Sequence, residues 1–195
     1  MSIASKKKSA KKNLILKKAA LLFREKGFAA TSMRELADAV GMEAASLYNH
    51  ISSKSAILEE IIFSVSLAVK HQLDEIEKPD KPVLYKIEAV IRFHVQMMLQ
   101  RFDDYCVMVN EWFHLSSENQ NIFATERKLY VKRLEAIIQA GIDAGELKPI
   151  MPYVVVLNIL SSVRGLEFWH KSSKQYLAED MEKNIVAHLI AGIMG

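Results

Sequence analysis

Apolar residues recur with the period of an α-helix along most of the chain, and no segment alternates convincingly as a strand would. Glycines, prolines and short polar runs interrupt this pattern at intervals that predict helix ends. The prediction is an all-α fold of about nine helices, in which a three-helix N-terminal domain precedes a larger helical domain. The predicted helices cover residues 9–26, 32–40, 43–49, 53–77, 83–100, 103–115, 118–144, 152–172 and 175–193.

Between residues 31 and 54 the pattern predicts two short helices separated by a tight turn at Gly41. Ser32 precedes Glu35 by three residues, which is the spacing of a capping box at the start of the first of these helices. In the second helix Leu47 is the inward residue, and the other positions face outward. Alanines, a serine and a tyrosine at outward positions are poorly explained as core and are typical of a helix that lies in a DNA groove. These outward residues are Ala44, Ala45, Ser46 and Tyr48.

The last predicted helix places an apolar residue at every fourth position, which makes a stripe that another helix must cover. In a monomer the stripe would pack on the chain's own core. An equally simple use is a four-helix interface built from the last two helices of two copies. The stripe consists of Leu177, Met181, Ile185, Leu189 and Ile193.

Charge is unevenly distributed along the chain, although the net charge is only +3. Residues 1–60 contain eleven Lys or Arg and six Asp or Glu, whereas the remaining 135 residues contain fifteen and seventeen. A basic N-terminal third suits a partner that is a polyanion, and a flexible, solubilising lysine tail over residues 1–8 explains the charge equally well. The helix-turn-helix pattern directly behind the tail favours nucleic acid.

No targeting or membrane segment is predicted. Lys17 and Lys18 interrupt the apolar run behind the N-terminal lysines, and residues 150–163 are too short and too polar to span a bilayer. Cys106 is the only cysteine, so no internal disulfide is expected. These features predict a cytoplasmic protein.

An enzyme is the alternative class, because six histidines and acids such as Glu111 and Glu167 could form a metal or acid–base site. The sequence contains no HExxH, no glycine-rich phosphate loop and no Gly-x-Ser-x-Gly elbow, and Cys106 has no obvious histidine partner. We therefore predict no catalytic activity, no metal and no cofactor. A helical protein-interaction module, the third class considered, would account for the C-terminal stripe but not for residues 31–54.

Residues 9–62 resemble the DNA-binding domain of the TetR family of bacterial transcriptional regulators. The resemblance rests on the phrases FREKGFAATSM, RELADAVGM and SLYNHISSKSAIL, in which helices, turn, aromatic residue, histidine and lysine fall at the family spacing. Ile51 is a departure, since an aromatic residue is more usual there, but it exchanges one core residue for another. The resemblance implies a DNA-binding domain over residues 1–54 and a ligand-binding and dimerisation domain over residues 55–195.

The resemblance also implies roles in DNA binding for particular residues. Tyr48, His50 and Lys54 correspond to phosphate contacts, which set the register on DNA without reading its sequence. Arg34 corresponds to a position that reaches a base edge or a phosphate. Residues 44–46 fall at base-facing positions, where methyl groups meet thymine methyls and a hydroxyl serves several bases. The complete set expected at the DNA is Ser32, Arg34, Ala44, Ala45, Ser46, Tyr48, Asn49, His50 and Lys54.

By the same resemblance, the C-terminal domain encloses a pocket for a small inducer and dimerises through its last two helices. Methionines, aromatic residues and isolated polar residues supply the pocket candidates, although such residues at helical spacing are also ordinary core. The pocket candidates are Met97, Tyr105, Met108, Trp112, Arg127, Tyr130, Asn158 and Ser162. The dimerisation candidates are Trp169, Met181, Ile185 and Leu189.

The implied mechanism is repression, in which a homodimer binds an inverted-repeat operator in double-stranded DNA and a small apolar effector releases it. The phrase AIIQAGIDAGELKP and the late tryptophan in GLEFWHKSS resemble family members that respond to acyl-CoA thioesters. Arg92, Arg127 and Arg164 are the basic residues available to a phosphate or carboxylate. A drug-like compound or a free fatty acid is the alternative effector, and activation is the alternative to repression.

Overall fold

The computed structural model describes residues 3–78, 81–172 and 176–194, and all three segments are built of helices. The predicted fold class, all-α, is therefore confirmed. Leu147 and Met194 form an isolated antiparallel bridge, and the described residues contain no strand. The helices are α1 (Ile3–Lys26), α2 (Met33–Ala39), α3 (Ala44–Tyr48), α4 (Lys54–Glu77), α5 (Val83–Gln100), α6 (Phe102–Glu111), α7 (Ser117–Asp143), α8 (Pro152–Lys171) and α9 (Ala178–Ile193), with a 3₁₀ turn at Trp112–His114.

The start of α1 differs most from its predicted position. This helix begins at Ile3, so residues 3–8, predicted to belong to a flexible basic tail, are helical. Lysine and alanine are good helix formers, and no glycine or proline interrupts this stretch. The first two residues of the predicted tail, Pro79 and Asp80 between the predicted helices 53–77 and 83–100, and the predicted start of the last helix at residue 175 lie outside the described part of the chain.

Packing divides the chain into two compact units, and the first contains the residues up to Leu67 together with Asp103–Ala124. Its core is one cluster of apolar side chains, each at most 5 % exposed. This division differs from the predicted boundary between residues 54 and 55, because α4 and α6 supply part of the core on which α1, α2 and α3 pack. The cluster comprises Ile15, Ala19, Ala20, Phe23, Leu36, Ala37, Leu47, Ile51, Ile57, Leu58, Ile61, Ile62, Val107, Leu115 and Phe123.

The second unit contains Ala68–Phe102 and the residues from Thr125 onward. In it α5 packs against both α8 and α9. Its fully buried side chains include Ile91, Met98 and Leu166. No helix of the described segments in either unit is long and apolar enough to cross a membrane.

Two arginines join helices of the second unit through carboxylates. Arg133 on α7 donates to Asp74 at 2.7 Å and also to Glu77, both near the end of α4. These hydrogen bonds, the one with Glu77 foremost, raise the pKa of Arg133 above its ordinary value. Arg92 on α5 donates to Glu88 on its own helix at 2.7 Å and to Glu182 on α9 at 3.0 Å.

Candidate nucleic-acid interface

The start of α2 is fixed by the capping box that the sequence predicts. The backbone N–H of Ser32 donates to the Glu35 carboxylate at 2.8 Å, and the backbone N–H of Glu35 donates to the Ser32 hydroxyl at 3.2 Å. Lys26 also donates to Glu35, at 2.9 Å. The hydrogen bond from Lys26, followed by those from Ser32, lowers the pKa of Glu35 to about 2. The predicted box is therefore confirmed, and it satisfies donors that a helix start otherwise leaves without partners.

Gly41 makes the turn between α2 and α3. Its φ angle is +66°, in the left-handed region where a residue without Cβ is favoured. The N–H of Gly41 donates to the Asp38 carbonyl at 3.1 Å, and the N–H of Met42 donates to the Ala37 carbonyl at 2.9 Å. The predicted tight turn is therefore present, and it lets α3 pack against α2, with Leu36, Ala37 and Leu47 in one core cluster.

The outer face of α3 differs from the prediction at Ala44. Leu47 is fully buried, whereas Ala45 is exposed and Tyr48 is 53 % exposed. Ala44 is half-buried and packs against the core of the first unit, because a helical residue three positions before Leu47 shares its face. Ser46 is half-buried. The exposed surface of α3 therefore centres on Ala45 and Tyr48.

The predicted interface also includes four polar residues outside this surface. Ser32, Arg34 and Asn49 are exposed. His50 is half-buried, and its Nδ1 atom is buried without a hydrogen-bond partner among the described residues. The exposed guanidinium, amide and tyrosine hydroxyl are donors of the kind that phosphate oxygens and base edges accept.

Lys54 has different partners from the phosphate that the resemblance implies. Its ammonium donates to the carbonyls of Phe28 at 2.8 Å, Ala29 at 3.4 Å and Thr31 at 2.7 Å. It also lies 4.4 Å from the centre of the Phe28 ring. The side chain therefore joins the first turn of α4 to the connection between α1 and α2.

The predicted effector residues fall into both compact units. Tyr105, Met108 and Trp112 belong to the first, where Tyr105 is buried and the other two pack partly on the core. The Trp112 and Phe123 rings are 5.7 Å apart between centres. The sequence allowed two roles for these residues, lining a pocket or filling the core. Met108 and Trp112 pack on the core.

The remaining effector candidates belong to the second unit. Met97 is buried, and Tyr130 and Ser162 are half-buried. Arg127 and Asn158 are exposed. Met97, Tyr130 and Ser162 are therefore the members of this group with burial suited to a pocket.

His94 is a buried polar residue that the effector prediction did not include. Its Nε2 atom lies 2.6 Å from the Tyr130 hydroxyl, and the residue is only 3 % exposed. Burial lowers the pKa of His94 to about 4, so the imidazole is neutral at physiological pH. Its place on the apolar face of α5, four residues after Val90, is the signal in the sequence that indicates burial.

The outer faces of α8 and α9 carry apolar side chains. Tyr153, Leu157 and Phe168, which are 53 %, 50 % and 79 % exposed, recur on one side of α8 at helical spacing. The dimerisation candidates Trp169, Met181, Ile185 and Leu189 are half-buried. Together these apolar residues form a surface on which another pair of helices could pack.

An exposed helix-turn-helix face with a capped first helix, in a chain with a second helical unit, is characteristic of DNA-binding transcriptional regulators. Residues 15–61 match the family described as bacterial regulatory proteins, tetR family, and residues 80–193 match the Tetracyclin repressor-like, C-terminal domain. The second match alone covers more than half of the chain. The chain therefore belongs to the TetR family, whose members regulate transcription and are not enzymes.

Curated relatives and solved structures resemble the chain over nearly its whole length. The transcriptional repressor KstR2 of Mycolicibacterium smegmatis is 26% identical over 191 residues, covering 95% of this chain and 91% of the relative. The structure of KstR2 of Mycobacterium tuberculosis has a TM-score of 0.87 at 20% identity and covers 94% of this chain and 95% of its own. AibR, in complex with isovaleryl coenzyme A and operator DNA, has a TM-score of 0.78 at 24% identity, with 92% and 98% covered. These two structural likenesses establish the fold.

Proposed function

We propose that this protein is a homodimeric, cytoplasmic repressor that binds an inverted-repeat operator through α2 and α3 and leaves it when a small apolar effector binds. The observation that carries the proposal is the exposure of Arg34, Tyr48 and Asn49, which have side-chain donors, and of Ala45 in the helix-turn-helix segment. The KstR2 relatives are named transcriptional repressors, which favours repression over activation.

The proposed DNA contacts divide into two kinds. Tyr48 and His50 hold phosphates, and Ser32 and Asn49 lie beside them as further polar contacts. Arg34 reaches a phosphate or a base edge. Ala45 and Ser46 face the bases, with Ala45 as the more exposed of the two, whereas Ala44 packs on the core.

Dimerisation is proposed through the outer faces of α8 and α9, around Trp169, Met181, Ile185 and Leu189. The exposure of Tyr153, Leu157 and Phe168 supports this surface, because a second copy of the helix pair would cover all of them. A two-fold dimer presents two identical helix-turn-helix faces, and this symmetry requires an inverted repeat in the DNA.

The proposed effector is an acyl-CoA thioester, with a free fatty acid or a drug-like compound as the alternatives. Met97, Tyr130 and Ser162, with the neutral His94 beside Tyr130, supply an apolar surface with a few polar groups. AibR, which shares the fold, binds isovaleryl coenzyme A. Of the three arginines, Arg92 is paired with Glu88 and Glu182, and Arg127 is exposed.

Release of DNA by a panel of ligands tests the proposed regulation. The protein is bound to a duplex selected from a random library and titrated with acyl-CoAs of increasing chain length, with free CoA and with the matching free acids. An acyl-CoA is expected to dissociate the complex and to raise the melting temperature of the free protein. Release by free acids alone would replace the thioester by the fatty acid, and no release by any of them would refute this effector class.

A further inference from the structure

The connection between α1 and α2, residues 27–31, is an irregular segment that immediately precedes the Ser32 cap; we call it the entry turn. Gly27 opens it with a φ angle of +87°. The Thr31 hydroxyl closes it by donating to the Gly27 carbonyl at 2.9 Å, and Thr31 is only 1 % exposed. Because the entry turn leads directly into α2, its conformation sets how α2 begins.

Lys54 satisfies the carbonyl groups of the entry turn. An ammonium has three N–H donors, and three carbonyl oxygens lie within hydrogen-bond distance of this one, at Phe28, Ala29 and Thr31. The Phe28 ring covers it further. The three carbonyls therefore occupy the N–H donors of Lys54 that would otherwise bind a DNA phosphate.

Glu111 satisfies an amide group of the same turn. It is the last residue of α6, its side chain is 14% exposed, and its carboxylate accepts the backbone N–H of Phe28 at 3.3 Å. The Phe28 ring lies 5.2 Å from the rings of both Phe23 and His114. An irregular backbone outside the regular helices depends on such side chains for its hydrogen bonds.

We propose that Lys54 and Glu111 are positioning residues that hold the entry turn, and through it α2 and α3, in the conformation that binds DNA. The Lys54 ammonium donates hydrogen bonds to the carbonyl groups of the turn, and the Glu111 carboxylate accepts one from the Phe28 N–H. Lys54 thus supports DNA binding from inside the protein without touching a phosphate. The inference rests on the proposed DNA-binding function for its consequence, but the hold on the turn is measurable without DNA.

Hydrogen exchange of the free protein tests the hold. In Lys54→Met and Glu111→Ala, amides of residues 28–36 are expected to exchange about tenfold faster or more than in the wild type. Glu111→Gln keeps an acceptor oxygen and should restore most of the protection. Lys17→Met, which alters an exposed lysine of α1, serves as the control. Exchange at wild-type rates in both Lys54→Met and Glu111→Ala would overturn the proposal, and the Glu111 variants decide it where Lys54→Met does not fold.

The salt dependence of operator binding separates positioning by Lys54 from contact with phosphate. Lys54→Met should weaken binding to the selected duplex by about tenfold, the effect of losing hydrogen bonds to a charged group. The slope of log affinity against log salt concentration should stay at the wild-type value. A slope shallower by about 0.9 would show that a phosphate contact was lost, and would refute the inference for Lys54. A wild-type protein that selects no duplex would refute the proposed function and leave the exchange result standing.

Glu111 gives the second DNA test, in which charge and positioning predict opposite outcomes. Removing a negative charge should by electrostatics alone strengthen binding to a polyanion. Glu111→Ala is instead expected to weaken operator binding several-fold, with recovery in Glu111→Gln. Glu43→Ala, which removes an exposed carboxylate at the start of α3, is the matched control and should not weaken binding. Equal or tighter binding by Glu111→Ala would contradict the proposal.

Discussion

At the scale of single residues, side chains of the same type lie at the surface in one place and in the interior in another. Tyr48 is exposed on α3, whereas Tyr130 is half-buried with its hydroxyl 2.6 Å from His94. The Lys54 ammonium donates hydrogen bonds to three backbone carbonyls, although its place in the sequence resembles that of a phosphate contact. Burial and partners, more than residue type, therefore decide which of these groups meets DNA.

Tyr48 and Ser46 are expected to affect DNA binding in different ways. Tyr48→Phe removes one hydroxyl donor and should weaken binding about fivefold, equally for the operator and for its sequence variants. Ser46→Ala should instead change the order of preference among operator variants, since residue 46 is proposed to face the bases. Affinities measured for both substitutions on a panel of single-base operator variants check this division. A change of preference caused by Tyr48→Phe would contradict it.

His94 predicts a loss of stability in acid. The unfolded chain binds a proton near pH 6.5, whereas the buried imidazole, with its pKa lowered to about 4, does not. The unfolding free energy should therefore be greatest above pH 6.5 and fall as the pH drops toward 4, by about 3 kcal/mol for this group. Denaturant unfolding across this range measures the loss.

Two variants isolate the histidine from other titrating groups. His94→Gln removes the buried imidazole and should reduce the slope of stability against pH between 6.5 and 5. His71→Gln removes an imidazole whose side chain is 73% exposed and should leave that slope unchanged. If His94→Gln keeps the wild-type slope, burial of His94 does not cause the acid sensitivity.

At the scale of helices, the sequence predicted helix ends well at glycines that adopt a backbone conformation other residues rarely take. Gly27 and Gly41 both have positive φ angles, and both end or turn a helix at the predicted place. The start of α1 was missed because lysine-rich sequence carries no local stop. The partners of Lys54 and of Phe28 could not be predicted, since they come from 23 to 83 residues away and depend on packing of the whole first unit.

The N-terminus of α5 shows such a distant contact. Pro82 precedes the helix and provides no side-chain cap; instead the Glu146 carboxylate accepts the N–H groups of Val83 at 2.8 Å and Leu84 at 3.4 Å. Glu146→Ala should lower the unfolding free energy by about 1 kcal/mol, as loss of a helix cap does.

Glu146→Gln, which keeps an acceptor oxygen, should recover part of that loss. Lys148→Ala, at an exposed position two residues away, is the control and should be nearly neutral. Denaturant unfolding compares the three variants. A Glu146→Ala protein as stable as the control would show that the helix does not depend on this cap.

At the scale of the whole molecule, the account requires two copies of the chain on one DNA site. The family is established, and it could be expected from residues 9–62, whereas the division into two compact units differs from the predicted boundary between residues 54 and 55. The sequence did not predict which polar and aromatic residues are buried: Met108 and Trp112 pack on the core of the first unit, and His94, absent from the predicted set, is buried beside Tyr130. A ligand pocket would use the same residue types at the same spacing as the core, so the sequence pattern does not distinguish the two.

Selection of duplexes from a random library by the purified protein, followed by sequencing, tests the central claim most directly. The expected result is one inverted repeat whose half-sites are centred about ten base pairs, or a multiple of that, apart. Two chains should bind each duplex in analytical ultracentrifugation. Enrichment of no sequence, or of a single unrepeated site bound by one chain, would contradict the account.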